Sequence, residues 1–303
     1  MKALVIGAGA VGGYFGGRLV LAGHEIYFVA RGEQLKAIEQ SGLFVESVNG
    51  DFTAKPAGVS ERFKPLPNLD LILVCVKRLD TANILEILAE QTGPDTVVIS
   101  LQNGVDVERE FVGVVPESKV MGGIAFIGSA VSAPGRLKHT AKGAITIGEL
   151  DGSQSSRSLA LKKIFEDSGV PCTVSTDIAR AKWEKLMWNV GFNGVCALSG
   201  RTVHQILAFP PACDLVCGLM AECADVAEKL GVMVSRSIIE KYIESGRKAG
   251  DVTPSMLQDV RHGKRTEIDY INGKVRDEGR KLGCPTPHND VVWTLISAIG
   301  RAK

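Results

Sequence analysis

Charge of one sign is what this sequence most plainly lacks: across 303 residues, 35 Lys and Arg face 34 Asp and Glu, a formal net charge of +1. That balance gives no general field to draw in nucleic acid or an anionic membrane. The basic residues are also not interleaved with aromatics, which make up only 6% of the chain. Long apolar runs are missing as well. Even the segment from Cys213 to Leu230 carries Asp214, Glu222, Asp225 and Glu228, so no segment reads as a membrane span. The first strand and a glycine turn occupy the place a signal peptide would need, and none is expected. The seven cysteines, Cys75, Cys172, Cys196, Cys213, Cys217, Cys223 and Cys284, are odd in number and show no paired-motif spacing. They read as reduced thiols of a cytoplasmic protein, with Cys213 and Cys217 facing the core rather than a metal. The five histidines show no metal-ligand spacing and no nucleophile elbow is present, so neither a metal nor a covalent nucleophile is expected.

What is present is glycine, 34 residues of it, and a 45% hydrophobic fraction, ample for two domains. Strands are predicted over Lys2–Ile6, Glu25–Ala30, Leu69–Val76, Thr96–Leu101 and Lys119–Phe126, with helical segments between them such as Asp80–Gln91. That alternation is the pattern of a parallel sheet covered on both faces. Two short strands, Arg136–Thr140 and Ala144–Gly148, a helix Ser155–Ser168 and a strand Cys172–Ser175 complete the first half. From about Asp177 the pattern turns helical: Ile178–Leu198, Pro211–Leu230, Ser235–Ser245 and Glu267–Leu282, with a glycine- and charge-rich connection over Gly246–Thr253. The expected architecture is α/β, a Rossmann-type parallel-sheet domain over 1–177 followed by an all-helical domain over 178–303, with a cleft between them. The helical half could supply a homodimer interface.

Gly7-Ala8-Gly9-Ala10-Val11-Gly12 follows the first strand and opens a helix, the context that gives a GxGxxG string its meaning. Gly7 permits the tight turn, Gly9 leaves room for a pyrophosphate, and Gly12 lets helix and strand pack closely. The free N–H groups of the helix start then face the diphosphate. At the end of the second strand, where NAD enzymes place an acid for the ribose hydroxyls, this chain has Arg31. A guanidinium pairs with a 2′-phosphate, so NADPH (NADP+) is the expected cofactor. Gln102-Asn103-Gly104 follows a buried strand; it reads either as a plain tight turn or as part of a dinucleotide site at the carboxyl ends of the strands.

Lys185, Asn189 and Asn193 recur every four residues along one helix face. The stripe is either a solvated face or a site; asparagine is a poor helix former, and a solvated face would more naturally carry Glu or Lys. Thr253-Pro254-Ser255 reads as a helix start with threonine as cap and proline first, which would present the Ser255 hydroxyl beside free N–H groups. Glu267 lies near the start of a predicted helix, beside the apolar stripe Ile268, Ile271 and Val275, where a glutamate is common for dipole reasons alone.

The segments GAGAVGGYFG, CVKRLDT (75–81), LQNGVD (101–106), GRLKHT (135–140), AKWEKLMWNVGFN (181–193) and PSMLQDVRHGKRTEIDYINGKV (254–275) occur in this order. Together they resemble the 2-dehydropantoate 2-reductase (ketopantoate reductase) family, essentially end to end. The resemblance implies NADPH-dependent reduction of a 2-keto acid, 2-dehydropantoate, to pantoate on the route to pantothenate and coenzyme A. It implies Lys185 as the catalytic lysine, with Glu267 and Asn103 beside it. Asn189, Asn193 and Ser255 would bind substrate, and Gly7, Gly9, Gly12, Arg31, Lys77 and Asn103 the cofactor. Two alternatives stand beside it: a reductase of a different small 2-keto acid, and a dinucleotide-sensing protein without chemistry. Intact Lys185, Asn103 and Glu267 argue against the second.

Overall fold

The computed structural model describes residues 1–248 and 250–301, so residue 249 of the Gly246–Thr253 connection and the last two residues lie outside it. The chain divides into two compact units, one of residues 1–102 and 106–178, the other of residues 103–105 and 179–303.

The first unit runs β1 (Lys2–Ile6), α1 (Ala10–Leu21), β2 (Glu25–Val29), α2 (Gly32–Ser41), β3 (Leu43–Ser47), β4 (Phe52–Ala54), β5 (Gly58–Ser60), β6 (Leu71–Val74), α3 (Leu85–Gln91), β7 (Val97–Ser100), α4 (Val107–Val112), β8 (Val120–Ala133), β9 (Arg136–Glu149), α5 (Ser156–Asp167) and β10 (Cys172–Val174). One sheet holds these strands in the order β4-β3-β9-β8-β7-β6-β1-β2-β5, with β10 beside β9. From β8 across to β5 every neighbouring pair is parallel. The apolar runs explain why. In β1, β6 and β7 successive side chains sort into two separate cores: Ala3, Val5, Leu71, Leu73, Val97 and Ile99 enter one, and Leu4, Ile6, Ile72, Val74 and Val98 the other. A strand that is apolar at every position can be buried only when both faces of its sheet are covered.

The far side of the sheet differs from expectation. Arg136–Thr140 and Ala144–Gly148 are one strand, β9, which pairs antiparallel with an equally long β8. Lys142 and Gly143 both have positive φ (60° and 102°) and read locally as a turn. Phe126 pairs with Ala144 and Ile127 with Lys142, so Gly143 is the extra residue of a β-bulge and the ladder runs on past it. The sheet is therefore mixed rather than purely parallel. The helix over Asp80–Gln91 is also different: residues Arg78–Ile84 form a 3-10 stretch before α3 begins. The Thr81 hydroxyl bonds back to the Arg78 carbonyl at 2.9 Å, a local bond that favours the tighter turn.

The second unit is built around α6 (Ile178–Ser199), with α7 (Val203–Leu207), α8 (Pro210–Lys229), α9 (Ser237–Lys248), α10 (Ser255–Arg261), α11 (Asn272–Leu282) and α12 (Pro287–Arg301). Every residue from Asn189 to Ala197 on α6 is buried, which marks it as the core helix of the bundle. α8 and α12 approach it directly, Met220 against Gly191 and Val292 against Gly194. α9 continues three residues beyond its predicted end, into the Gly246–Thr253 connection. Among the described residues no helix is long and apolar enough to cross a membrane.

Candidate functional site

In the first unit the chain leaves β1 through a turn at Gly7, whose φ of 103° only glycine adopts without strain. The Gly7 amide donates to the Val29 carbonyl at 3.0 Å, which ties the turn to the end of β2. Two side chains that local sequence patterns do not flag hold the rest of the turn: Gln34 Nε2 donates to the Ala8 carbonyl at 2.7 Å and Ser129 Oγ to the Ala10 carbonyl at 3.0 Å. α1 then starts with Gly9 as its cap and no side chain accepting from its first amides. A Cβ built on Gly9 would meet nothing within 4 Å, whereas one on Gly12 would run into the Gly7 carbonyl and come within 2.8 Å of Cys75 Cβ. The turn is thus packed tight on the protein side and open on the other. Open space beside unpaired helix-start amides fits the diphosphate of a dinucleotide. Burial pushes the Cys75 thiol well above its usual range, so this neighbour adds no negative charge to the turn.

Arg31 is the N-cap residue of α2, exposed, with no ion pair among the described residues. Lys77 is half-buried and caps the 3-10 stretch after β6. The next residue, Arg78, is buried and pairs with Asp106 at 2.9 Å and Glu110 at 2.8 Å. Gln102 is also buried and donates to Thr81 Oγ1 at 3.0 Å, while Ser100 bonds to its amide oxygen at 3.2 Å. Arg78 and Gln102 therefore fix the loops at the ends of β6 and β7. Arg78 in CVKRLDT and Gln102 in LQNGVD carry no local signal of these long-range bonds.

In the second unit, Asn189 and Asn193 are 7% and 3% exposed, so the stripe is not a solvated face. Lys185, on the same face, is half-buried. Neither asparagine amide makes a hydrogen bond to a described residue, and neither is among the sealed polar atoms lacking one. Their amide atoms therefore keep a little solvent contact and stay open to a ligand. Asn103, which belongs with this unit, donates its Nδ2 to Glu267 Oε2 at 3.1 Å across 164 residues of sequence. Gly104, at φ 112°, makes the bend that carries Asn103 there.

Two local expectations need correction. The residue before α10 is Pro254, whose ψ of 155° is extended, so Pro254 and not Thr253 is the cap and Ser255 is the first helical residue. Ser255 is exposed, and its hydroxyl has no hydrogen-bond partner among the described residues. Glu267, 8% exposed, does not open a helix. It precedes a single 3-10 turn, Ile268–Tyr270, after which the backbone breaks at Ile271 (φ −112°, ψ −94°) and α11 starts at Asn272. The break lets Asn272 sink fully into the core, where its hydrogen bonds outweigh the helical period. Cys213 and Cys217 are half-buried on α8, and no group of three or more potential metal ligands comes together among the described residues.

Residues 3–152 match the family described as Ketopantoate reductase PanE/ApbA, and residues 177–300 match its C-terminal part. The chain is 31% identical to the 2-dehydropantoate 2-reductase of Halobacterium salinarum, over 100% of this chain and 99% of that one. Its fold is similar to the crystal structure of 2-dehydropantoate 2-reductase from Geobacter metallireducens GS-15, with a TM-score of 0.93 at 31% identity over 98% and 99% of the two chains. It is also similar to a D-mandelate dehydrogenase solved with NADH and anilino(oxo)acetate, with a TM-score of 0.90 at 25% identity over 100% and 99%.

Proposed function

This chain belongs to the ketopantoate reductase family of oxidoreductases, and from that premise we propose that it reduces 2-dehydropantoate to pantoate with NADPH, on the route to pantothenate and coenzyme A. The observation that carries this reading is the pair of buried, unpartnered amides, Asn189 and Asn193, on the helix face that also bears Lys185. Amides that are mostly buried yet have no partner in the free protein are suited to a small polar ligand that completes their hydrogen bonds.

Residues 1–177 act as the dinucleotide-binding domain and residues 178–303 as the substrate and catalytic domain. Gly7, Gly9 and Gly12 with the start of α1 hold the diphosphate, Arg31 the 2′-phosphate, and Lys77 and Asn103 the nicotinamide end. When bound, NADPH supplies a hydride to the ketone carbon. The chain's own work is at the ketone oxygen, where negative charge develops: the Lys185 ammonium stabilises that charge and gives up the proton that makes the hydroxyl. Asn189, Asn193 and Ser255 hold the polar groups of the substrate. Glu267, steadied by Asn103, accepts a hydrogen bond from the distal hydroxyl. Seven free cysteines suit the reducing cytoplasm.

The likeness to D-mandelate dehydrogenase with NADH favours a second reading, a reductase of a 2-keto acid with an apolar substituent. NADPH oxidation across a panel of ketopantoate, its analogue lacking the terminal hydroxyl, and phenylglyoxylate separates the two. Ketopantoate is expected to show the highest kcat/KM, and its advantage over the deoxy analogue to collapse in Glu267→Ala. Preference for phenylglyoxylate, or an unchanged preference ratio in the variant, would overturn the assignment.

A further inference from the structure

Glu267 and the asparagines of α6 lie far apart in sequence, and a buried polar network ties the segment that follows Glu267 to the main chain of α6. Asn272, five residues after Glu267, is 0% exposed. Its Nδ2 donates to the main-chain oxygen of Val190 at 3.1 Å and to Asn289 Oδ1 at 2.9 Å. Val190 follows Asn189 directly and lies three residues before Asn193. Asn289 passes the chain of bonds on, donating its Nδ2 to Glu222 Oε2 at 2.7 Å and to the Leu219 carbonyl at 3.2 Å. Glu222 is itself buried; it accepts the main-chain N–H groups of His288 at 2.8 Å and Asn289 at 3.0 Å in the first turn of α12. The far end of this network is thus rigidly anchored in two helices.

The Oδ1 atom of Asn272 is sealed from solvent and has no partner. Such an atom is unfavourable, and an apolar side chain would serve better if packing were all that the position required. A Cβ on Gly194 would run into Val292 Cγ1 and come within 3.3 Å of that oxygen, so the glycine leaves room for Val292 and, beside it, for Asn272.

We propose that Asn272 is a positioning residue: by holding the Val190 carbonyl, it sets the rotation and height of α6 at the point where Asn189 and Asn193 emerge, in register with the Glu267 segment. The inference rests on the substrate-binding role given above to those residues. A side chain that fixes a helix by one carbonyl acts on the groups nearest that carbonyl, and a misplacement of about 1 Å there costs on the order of 10²-fold in rate.

The test compares Asn272→Ala with the isosteric Asn272→Asp, whose carboxylate cannot donate to the carbonyl. It reads kcat and KM for the 2-keto acid that the wild type turns over best, NADPH affinity by fluorescence, thermal melting, and hydrogen exchange of peptides spanning 185–199. Both variants are expected to lose at least tenfold in kcat/KM while NADPH Kd stays within twofold, with faster exchange over 189–194 and none of that change in the first unit. A lowered melting temperature with kcat/KM within twofold of wild type would show a merely structural role and overturn the proposal. Asn289→Ala cuts the network one bond farther away and is expected to give a smaller loss of the same sign. If Asn272→Ala does not fold, Asn289→Ala and Asn272→Asp decide. Should the wild type reduce no 2-keto acid, the proposed function falls and hydrogen exchange alone decides here: unchanged exchange over 189–194 refutes the pinning.

Discussion

In the proposed function Lys185 acts on the substrate and Arg31 on the cofactor, and each makes a prediction that the other does not share. Lys185 is half-buried on a face with two amide neighbours, so its apolar stem can lie along the helix while the ammonium reaches substrate. Lys185→Ala is expected to lower kcat with saturating ketopantoate by about 10²- to 10⁴-fold, the usual cost of a lost general acid, and to leave NADPH affinity unchanged. A drop of less than tenfold would refute the role; Lys77 would then be the next candidate acid. Arg31 is exposed at the end of β2 and has no ion pair among the described residues to break. Arg31→Ala should weaken NADPH binding by about 1–3 kcal/mol, the scale of a charge-assisted hydrogen bond, and leave NADH nearly untouched. Equal losses for the two cofactors in titration would rule out a 2′-phosphate contact. Both residues could be proposed from sequence because their signals are local: a strand end for one, an i, i+4 spacing for the other. The burial of Asn189 and Asn193 could not. The same spacing suits a solvated face, and only the packing around α6 separates the two.

At the scale of elements, the glycine turn between β1 and α1 distinguishes a packing role from a binding one. Gly12→Ala drives a methyl group against backbone, the Gly7 carbonyl, which cannot swing aside as a side chain would. The expected loss is about 1–3 kcal/mol or more, seen as a clearly lower melting temperature. Gly9→Ala meets nothing in the protein and should melt close to wild type while losing dinucleotide affinity, because the added methyl fills the space the diphosphate needs. If the Gly9 variant bound NADPH as tightly as wild type, the open side of the turn would not be the diphosphate site. The turn was legible because a single short motif encodes it. The β8–β9 ribbon was not, since Lys142-Gly143 has the local chemistry of a turn and only pairing with residues 126 and 127 turns it into a bulge. The 3-10 turn after Glu267 was hidden for a related reason: Ile268, Ile271 and Val275 keep a helical period through a break that the Asn272 hydrogen bonds impose.

For the whole molecule, local sequence pattern specifies whatever depends on neighbours a few residues away. Apolar runs at every position required a sheet covered on both faces, the glycine string required a tight strand-to-helix turn, and the loss of alternation after Asp177 required a helical second half. Tertiary structure decided what depends on residues far apart along the chain. It placed Asn103 on Glu267 across 164 positions, grouped residues 103–105 with the second unit, and made α6 a helix buried along most of its later half. Periodicity states which face of an element is apolar, but not which partner covers it or how completely. Burial is a sum over contacts from the whole unit, and the cost of an unpaired polar group is set only when that sum is known.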